Sequence, residues 1–242
     1  MRLIIIGQGN VACNLQAAFL RAGLEVPMYS SRTDLDKLPS NVDIYLYAVA
    51  DNALAEVINK VHVHARALHL HTSGTVPISV FGPDKMHCGI LYPFQTFSKA
   101  HILEDFSQVP IFIEAHGIDD VAALYSVAQL LSPRIYEVTQ AERERLHVAG
   151  VFVNNFPNLM YGIAEDILRG TSIPFKILLP LIDETAAKVH SLSPKDAQTG
   201  PAIRGDKKVM QHHLEVLHDN IYAKQIYEML SNIISEVPEE KS

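Results

Sequence analysis

The sequence predicts an α/β protein with a mostly parallel N-terminal sheet and an all-helical C-terminal domain. Three observations lead to this class. A glycine-rich turn follows the first apolar run, apolar runs then alternate with helical periodicity as far as residue 138, and only helical periodicity follows. We therefore expect two domains, residues 1–138 with the sheet and residues 139–242 with the helices.

The first apolar run, Leu3-Ile4-Ile5-Ile6, ends in a tight glycine turn. The next residues, Gly7-Gln8-Gly9-Asn10-Val11-Ala12, fit the G-x-G-x-x-G/A fingerprint of a Rossmann-type dinucleotide-binding fold. Gly7 permits the sharp turn, Gly9 lets backbone approach a pyrophosphate, and Ala12 lets the helix pack closely on the strand. Because amides at a helix N-terminus attract phosphate, the expected cofactor-binding residues here are Gly7, Gln8, Gly9, Asn10 and Val11.

Six more apolar runs are expected to extend the sheet. Residues 43–50 are almost continuously apolar, which is typical of a parallel strand covered on both faces. Pro27 cannot donate to a strand ladder, which places the second strand at an edge or bulge. The expected strands after the first span residues 25–30, 43–50, 67–71, 88–91, 111–114 and 135–138. The expected helices between them span residues 10–22, 53–63 and 119–131.

Residues 140–168 have the pattern of one long helix. Pro157 lies inside it and should kink or divide it, because proline has no amide proton to donate. A long apolar helix is rarely stable alone, so we expect it to pack on other helices or on a second copy of the chain in a homodimer. A later helix is expected to span residues 207–217, and one of two interpretations of the loop before it makes Asp206 its N-cap.

Composition and charge exclude several classes of function. The formal net charge of −7 over 242 residues argues against a nucleic-acid or anionic-membrane binder, which needs a basic face. No run approaches the roughly 18–20 apolar residues of a membrane span, and no signal-peptide pattern follows Arg2. Cys13 and Cys88 form no C-x-x-C pair and suggest no disulfide framework. A reducing cytoplasm is the expected location.

The end of the second strand indicates which dinucleotide is bound. NAD-binding domains usually carry Asp or Glu there for the ribose 2′-hydroxyl, whereas this chain has Tyr29-Ser30-Ser31-Arg32. Two hydroxyls and a guanidinium fork suit a 2′-phosphate, so we expect NADP as the cofactor, bound by Ser30, Ser31 and Arg32. Asp34 and Asp36 follow, and a shifted strand end would bring one of them to the ribose instead. A merely solvated loop is the structural alternative.

Several motifs together resemble one family over essentially the whole chain. They are Gly7-Gln8-Gly9-Asn10-Val11-Ala12, His71-Thr72-Ser73-Gly74, Pro93-Phe94-Gln95-Thr96-Phe97, Leu146-His147-Val148-Ala149 with Asn155, and Thr199-Gly200-Pro201 with Arg204-Gly205-Asp206 and His213. The family is that of the Rossmann-like proteins with a helical C-terminal domain of unknown function, provisionally labelled NADP oxidoreductases. More distantly, the layout is similar to pyrroline-5-carboxylate reductase, ketopantoate reductase and the 3-hydroxyisobutyrate dehydrogenases. The resemblance implies a helical domain that often dimerises and closes the active site.

Two departures from the relatives' patterns concern the chemistry. Tyr92 stands where family members often carry a histidine before the proline. The hydroxyacid dehydrogenases carry a catalytic lysine one turn before an asparagine, whereas here Val151 stands one turn before Asn155. A lysine mechanism therefore does not transfer to this chain.

The same resemblance implies that two loops at strand ends border the ribose and the nicotinamide. Ala50 and Asp51 lie at the end of the third strand, and Thr72 and Ser73 follow the fourth. We expect all four to bind the cofactor, because ligands of such sheets lie at the carboxyl ends of the strands. An ordinary hydroxyl-rich turn is the alternative for the second pair.

His147 is the leading candidate for proton transfer, since histidine exchanges protons near neutral pH. His147, Val151 and Asn155 lie four residues apart on one helical stripe, so Asn155 can orient a substrate carbonyl or the nicotinamide. Arg204 can bind a substrate carboxylate with two parallel hydrogen bonds. The structural alternatives are a buried histidine with an asparagine cap before the proline, and an Arg204–Asp206 pair that locks its loop.

The preferred function is an NADP-dependent oxidoreductase that acts on a small carbonyl, imine or hydroxy compound. The alternative is a non-catalytic NADP(H) sensor, which the missing lysine favours. A Rossmann methyltransferase fits less well, because it too would need an acidic ribose ligand after the second strand.

Four closely spaced histidines raise the question of a metal site. His69 and His71 share one face of a strand in the H-x-H arrangement that some metal sites use, and His62 and His64 precede them. No acidic residue with ligand spacing stands nearby, and a nucleotide site already accounts for this region. We therefore expect no metal.

Overall fold

The structure is a computed structural model that describes residues 1–61 and 66–236. The strands are β1 (Leu3–Ile6), β2 (Met28–Tyr29), β3 (Ile44–Tyr47), β4 (Leu68–His71), β5 (Cys88–Pro93), β6 (Ile111–Ala115) and β7 (Ile135–Glu137). The α-helices are α1 (Asn10–Arg21), α2 (Asp51–Lys60), α3 (Ile118–Gln129), α4 (Gln140–Gly150), α5 (Phe156–Leu168), α6 (Leu179–Lys188), α7 (Lys207–Val216) and α8 (Ile221–Glu236).

All seven strands form one sheet in the order β2-β1-β3-β4-β5-β6-β7. β5 and β6 pair antiparallel, while the other neighbours pair parallel. The predicted fold class, a mostly parallel Rossmann-type sheet followed by helices, is therefore confirmed. β2 is shorter than the expected strand 25–30 and lies at the sheet edge, as Pro27 predicts, because that residue has no amide to donate.

The strand order places a crevice at the end of β1. The chain leaves β1 to form β2 on one side and then crosses to form β3 on the other side. The carboxyl ends of β1 and β3 therefore flank the topological switch point, where open α/β sheets bind their ligands. Gly7 follows β1 and Ala48 follows β3 at this point.

The core consists of two apolar clusters, one on each face of the sheet. Leu3 and Ile5 pack with the buried side of α1, including Phe19, on one face. Ile4 and Ile6 pack with α2 residues such as Ile58 on the other face. This division explains the continuous apolar run of β1, since successive side chains enter opposite and equally buried faces.

The expected helix over residues 140–168 is interrupted. α4 ends at Gly150, a π-helical turn spans Val151–Asn155, and α5 begins at Phe156. Pro157 cannot donate the hydrogen bond that a regular helix needs at that place, and a wider turn accommodates the loss. The prediction that the helix is kinked or divided is confirmed.

The chain divides into two compact units, Met1–Asn155 and the residues from Phe156 onward. In residues 156–236 the buried apolar side chains are those of Ala202, Leu217 and Ala223 alone. Helices α5, α6 and α8 each carry large exposed apolar side chains. A division of roles at residue 138 stays a prediction. No described helix combines the length and the apolar character that a membrane crossing requires.

Candidate cofactor and active site

The turn after β1 requires glycine at position 7. Gly7 has φ of 131°, a conformation that L side chains rarely adopt, and a Cβ there would lie 2.2 Å from the carbonyl oxygen of Ala48. Gly9 has an ordinary φ of −78°, and a Cβ there would lie 3.9 Å from the same oxygen. The fold therefore fixes the identity of Gly7, whereas the protein itself leaves room for a side chain at Gly9.

The N-terminus of α1 is available to an anion. Gly9 is the N-cap and supplies no side-chain hydrogen bond to the first turn of the helix. The amides of the first turn consequently point outward without a side-chain cap, at the positive end of the helix dipole. This arrangement is a phosphate site in many nucleotide-binding proteins.

Residues that follow β1, β2, β3 and β4 line a cavity of about 850 Å³, which we call the switch-point cavity. Its size falls in the range of small-molecule and cofactor sites. Of the residues expected to bind the cofactor, ten line it: Gly7, Gln8, Gly9, Asn10, Val11, Ser30, Ser31, Arg32, Ala50 and Thr72. The other lining residues are Ala48, Val49, Ala53, Glu56, Val57, Lys60 and Lys99.

In the loop after β2, Asp34 lies outside the lining of the switch-point cavity. Ser30 and Arg32 line the switch-point cavity, whereas Asp34 does not. The Asp34 carboxylate accepts hydrogen bonds from the Ser30 amide at 3.0 Å and from Lys37 Nζ at 2.8 Å. The Lys37 hydrogen bond, with that of the Ser30 amide, lowers the pKa of Asp34. Asp34 thus stabilises the loop through hydrogen bonds within it. The residues of this loop that line the cavity are Ser30, Ser31 and Arg32, which carry two hydroxyls and a guanidinium.

The switch-point cavity carries more positive than negative charge. Its charged lining residues are Arg32, Lys60, Lys99 and Glu56. Lys60 pairs with Glu56 at 2.6 Å, so Arg32 and Lys99 provide the excess. This local charge is opposite in sign to the net charge of −7 and suits a polyphosphate ligand.

Lys99 lines the cavity because the loop that carries it is hydrogen-bonded to α1. The Lys99 amide donates to Asn10 Oδ1 at 3.2 Å. Asn14, which is fully buried, donates from Nδ2 to the Ser98 carbonyl at 3.0 Å and accepts from the Leu103 amide at 2.8 Å. Sequence reasoning missed Lys99, since nothing in the local pattern links a loop after β5 to the first helix.

Asp51 and Ser73 lie outside the cavity lining and stabilise the neighbouring loop. Thr75 Oγ1 donates to Asp51 Oδ2 at 2.8 Å. The buried Ser73 hydroxyl accepts from the amides of Thr75 and Val76 at 3.1 and 3.0 Å. These contacts correspond to the hydroxyl-rich turn that the sequence offers as the alternative, and a cofactor contact of either residue stays a prediction.

A second cavity, of about 460 Å³, contains His147, and we call it the His147 cavity. Val151 and Asn155 line it as well, so the predicted stripe reaches one site although a π-helical turn carries two of its members. The remaining lining residues are Tyr92, Phe94, Gln95, Thr96, Phe97, Gly150, Val153 and Asn154. His147 and Asn155 therefore line the same cavity.

Tyr92 is the partner of His147. Its hydroxyl lies 3.0 Å from His147 Nδ1, and the two ring centres are 6.1 Å apart. Burial raises the pKa of Tyr92 to about 12, although the nearby Arg143 charge opposes the shift. The phenol is thus protonated at neutral pH. Sequence reasoning recorded Tyr92 only as the loss of a histidine, because the contact joins residues 55 positions apart.

Gly74 connects this pair to the loop after β4. A Cβ at Gly74 would lie 2.4 Å from His147 Nδ1 and 2.9 Å from Tyr92 Cζ. The bare backbone therefore packs directly against both side chains. Thr72, two residues earlier, lines the switch-point cavity, so one short loop lines that cavity and packs against the Tyr92–His147 pair.

Arg143 fastens α4, the helix that carries His147, to the sheet. Its side chain is fully buried, and Nε donates to Glu114 Oε2 at 2.9 Å. Nη1 donates to the Ser73 carbonyl at 3.2 Å. A capping box of Thr139 and Glu142 fixes the start of the same helix. These contacts hold the helix that carries His147 against β6 and the loop after β4.

The two strand histidines are structural. His69 Nδ1 lies 3.0 Å from the Tyr47 hydroxyl, and His71 Nδ1 accepts from the Ser73 amide at 3.1 Å. Within residues 1–61 and 66–236, no three His, Cys, Asp or Glu side chains are grouped so that they could hold a metal ion. His62 and His64 lie outside the described residues.

The buried histidines make stability depend on pH. Burial lowers the pKa of His69 to about 4 and that of His71 to about 3 from the ordinary value of 6.5. The unfolded chain therefore binds more protons, and stability is lost as pH falls below 6.5. We expect unfolding free energy to drop by roughly 3 kcal/mol from pH 7 to pH 5. Urea unfolding at several pH values measures this dependence. The unfolding free energy of His69→Gln should fall less between pH 7 and pH 5 than that of His101→Gln, the control at an exposed position. Equal falls in the two variants would mean that buried His69 is not a source of the pH dependence.

Arg204 belongs to the second compact unit. It is exposed in the turn that precedes α7. Asp206 caps α7, since its Oδ1 accepts from the Val209 amide at 3.3 Å, as in the structural alternative for this loop. Substrate binding by Arg204 stays a prediction.

The sheet topology and the switch-point cavity define a Rossmann-like protein with a helical C-terminal region. The chain belongs to the family described as a domain of unknown function, DUF2520, whose model matches residues 109–234. The family resemblance drawn from the sequence motifs is thereby confirmed. No curated protein matches the chain.

Solved structures extend the comparison. A provisionally assigned NADP oxidoreductase from Bacteroides fragilis is 38% identical, with 97% of this chain and 98% of that chain covered and a TM-score of 0.91. An imine reductase from Myxococcus stipitatus in complex with NADP+ is 16% identical, with 98% and 93% covered and a TM-score of 0.64. The Plasmodium falciparum pyrroline carboxylate reductase with NADP bound is 12% identical, with 98% of both chains covered and a TM-score of 0.59. The last two share the fold.

Proposed function

We propose that the protein is an NADP(H)-dependent oxidoreductase that acts on a small carbonyl, imine or hydroxy compound. The observation that carries the proposal is the switch-point cavity, which combines a glycine turn, an uncapped helix N-terminus and a Ser-Ser-Arg rim. The description of the Bacteroides fragilis relative as an NADP oxidoreductase supports it.

The residues of the switch-point cavity fit the parts of NADP(H). The amides at Gly9, Asn10 and Val11 suit the pyrophosphate, because they lie at the N-terminus of α1. Ser31 and Arg32 suit the 2′-phosphate, since the Asp34 carboxylate of the same loop is engaged with Lys37 and the Ser30 amide. When bound, the cofactor supplies or accepts a hydride at its nicotinamide ring.

The His147 cavity supplies the groups that a hydride transfer needs from the protein. His147 exchanges the proton with the substrate oxygen or nitrogen, and Asn155 orients the substrate carbonyl or the nicotinamide. Arg204 binds a substrate carboxylate where one is present. The substrate domain is the helical part of the chain, residues 139–242.

We further propose that the protein is a cytoplasmic homodimer. Helices α5, α6 and α8 expose large apolar side chains, among them Leu159, Leu181 and Ile233, and few side chains of the second unit are buried. Burying such a surface against a second copy removes it from water. Light scattering that finds only monomers at micromolar concentration would refute the dimer.

Arg32→Ala is expected to weaken NADPH binding about 10- to 100-fold, because a charged hydrogen bond to phosphate contributes about 1.5–3 kcal/mol. NADH affinity should change little, since NADH has no 2′-phosphate. Isothermal titration calorimetry of the wild type and the variant with both nucleotides measures the difference. Arg134→Ala removes an exposed cation that does not line the switch-point cavity, and it should leave NADPH affinity almost unchanged.

Turnover then separates an enzyme from a sensor. A panel of ketones, aldehydes and cyclic imines is screened for NADPH oxidation by the wild type and by His147→Gln. Activity that depends on His147 supports the proposal. Tight NADPH binding without turnover of any member of the panel would instead indicate an NADP(H) sensor.

A further inference from the structure

Tyr92 contacts the imidazole of His147, and this contact assigns a separate role to each ring nitrogen. The Tyr92 hydroxyl lies 3.0 Å from Nδ1, so one ring nitrogen has a fixed partner within the protein. Both side chains line the His147 cavity. In a histidine whose Nδ1 is bound in this way, Nε2 is the nitrogen left for a ligand, and the bound nitrogen's partner selects the tautomer.

The surroundings keep the pair in place. The Gly74 backbone packs against both groups, since an added Cβ would come within 2.4 Å of His147 Nδ1 and 2.9 Å of Tyr92 Cζ. The ring of Tyr92 also contacts Phe94 and Phe112, with ring centres 5.9 and 6.3 Å apart. A side chain packed on several sides retains one rotamer, and its hydroxyl stays within reach of the imidazole.

A hydroxyl suits both charge states of the imidazole. It donates its proton to a bare Nδ1, and it accepts a hydrogen bond when Nδ1 carries a proton. A carboxylate at this place could only accept. Burial keeps the Tyr92 phenol protonated at neutral pH, so both roles remain available.

We propose that Tyr92 is a positioning residue that holds His147 through Nδ1, so that Nε2 exchanges the proton with the substrate. This inference rests on the proposed function. In the reducing direction, the protonated ring releases the Nε2 proton to the substrate oxygen or nitrogen as its carbon receives the hydride from NADPH. The ring then retains the Nδ1 proton, which is donated to Tyr92 Oη, and solvent returns a proton to Nε2. In the oxidising direction the bare Nε2 takes the substrate proton.

The experiment compares the ring nitrogens of His147 in the protein without nucleotide or substrate. Long-range 1H–15N spectra of wild type and Tyr92→Phe report the tautomer of each histidine, and His147→Gln identifies the His147 signals by their loss. Tyr136→Phe is the matched control, because Tyr136 is half exposed on β7 and lies outside the His147 cavity. We expect Tyr92→Phe alone to shift the His147 nitrogens and to change the ratio of its tautomers. Identical His147 signals in the wild type and Tyr92→Phe would overturn the proposal.

Kinetics and binding provide the second readout. Tyr92→Phe should lower kcat about 10- to 100-fold, the usual effect of losing a partner that orients a working histidine, with NADPH affinity unchanged. The spectra need no cofactor, so failure of the proposed function would show as absent NADPH binding while the spectra still decide the Tyr92 contact. Unchanged kcat in Tyr92→Phe, on a substrate that requires His147, would also overturn the positioning role.

Discussion

Gly7→Ala is expected to destabilise the protein by about 4 kcal/mol and to abolish NADPH binding. Part of this energy is backbone strain, because a residue with a side chain rarely adopts the φ of 131° found at Gly7. The new Cβ would also lie 2.2 Å from the Ala48 carbonyl oxygen, and backbone at the end of a central strand cannot move away at low cost. Urea unfolding and calorimetry measure the two effects.

Gly9→Ala is the matched comparison. Its Cβ would lie 3.9 Å from the same oxygen, and its φ is ordinary, so the unfolding free energy should change by less than about 1 kcal/mol. NADPH affinity should nevertheless fall at least about tenfold, because in the proposed function the pyrophosphate approaches this backbone closely and a methyl group would obstruct it. Equal effects of the two substitutions on stability would contradict the distinction between a fold-required and a ligand-required glycine.

Arg143→Met should cost about 3–5 kcal/mol of unfolding free energy. The fully buried guanidinium binds Glu114 and the Ser73 carbonyl, and its removal leaves a nearly buried carboxylate without its partner. The loss should exceed the effect of deleting an exposed ion pair such as Lys60–Glu56, which is worth roughly 0–1 kcal/mol.

A double-mutant cycle isolates the pair. Arg143→Met combined with Glu114→Gln should be less destabilised than the sum of the single variants by about 2 kcal/mol, because neither charge is then buried alone. Additive losses in urea unfolding would mean that the two side chains act independently. The cycle also tests whether α4, the helix that carries His147, is held to β6 by the charges of Arg143 and Glu114 or only by packing.

The sheet could be predicted because its determinants are local. Leu3–Ile6 and Ile44–Tyr47 are short apolar runs whose every side chain is buried, and the glycine turn marks the end of the first. Pro27 indicated the edge position of β2. The π-helical turn could not be predicted, because Pro157 indicates an interruption without specifying the hydrogen-bond pattern that absorbs it.

In the candidate site too, residues near strand ends could be predicted from the sequence, whereas residues placed by long-range contacts could not. Gly9 and Arg32 could be predicted as lining residues because each lies within three residues of the carboxyl end of one of the adjacent strands β1 and β2. Lys99 and Tyr92 could not, since their places depend on contacts over long sequence separations, through Asn10 and with His147. The Ser73 hydroxyl accepts hydrogen bonds within its own turn, a local contact that residue type alone does not specify, and its cofactor contact stays a prediction. Residue type identified candidate chemistry, while tertiary contacts determined which side chains meet.

The central claim is that the switch-point cavity binds NADP(H). Calorimetric titration of the wild-type chain with NADPH and with NADH tests it most directly. We expect one NADPH per chain, bound at least about tenfold more tightly than NADH, because the rim of Ser30, Ser31 and Arg32 offers donors to the 2′-phosphate. No binding of NADPH, or equal affinity for the two nucleotides, would contradict the claim.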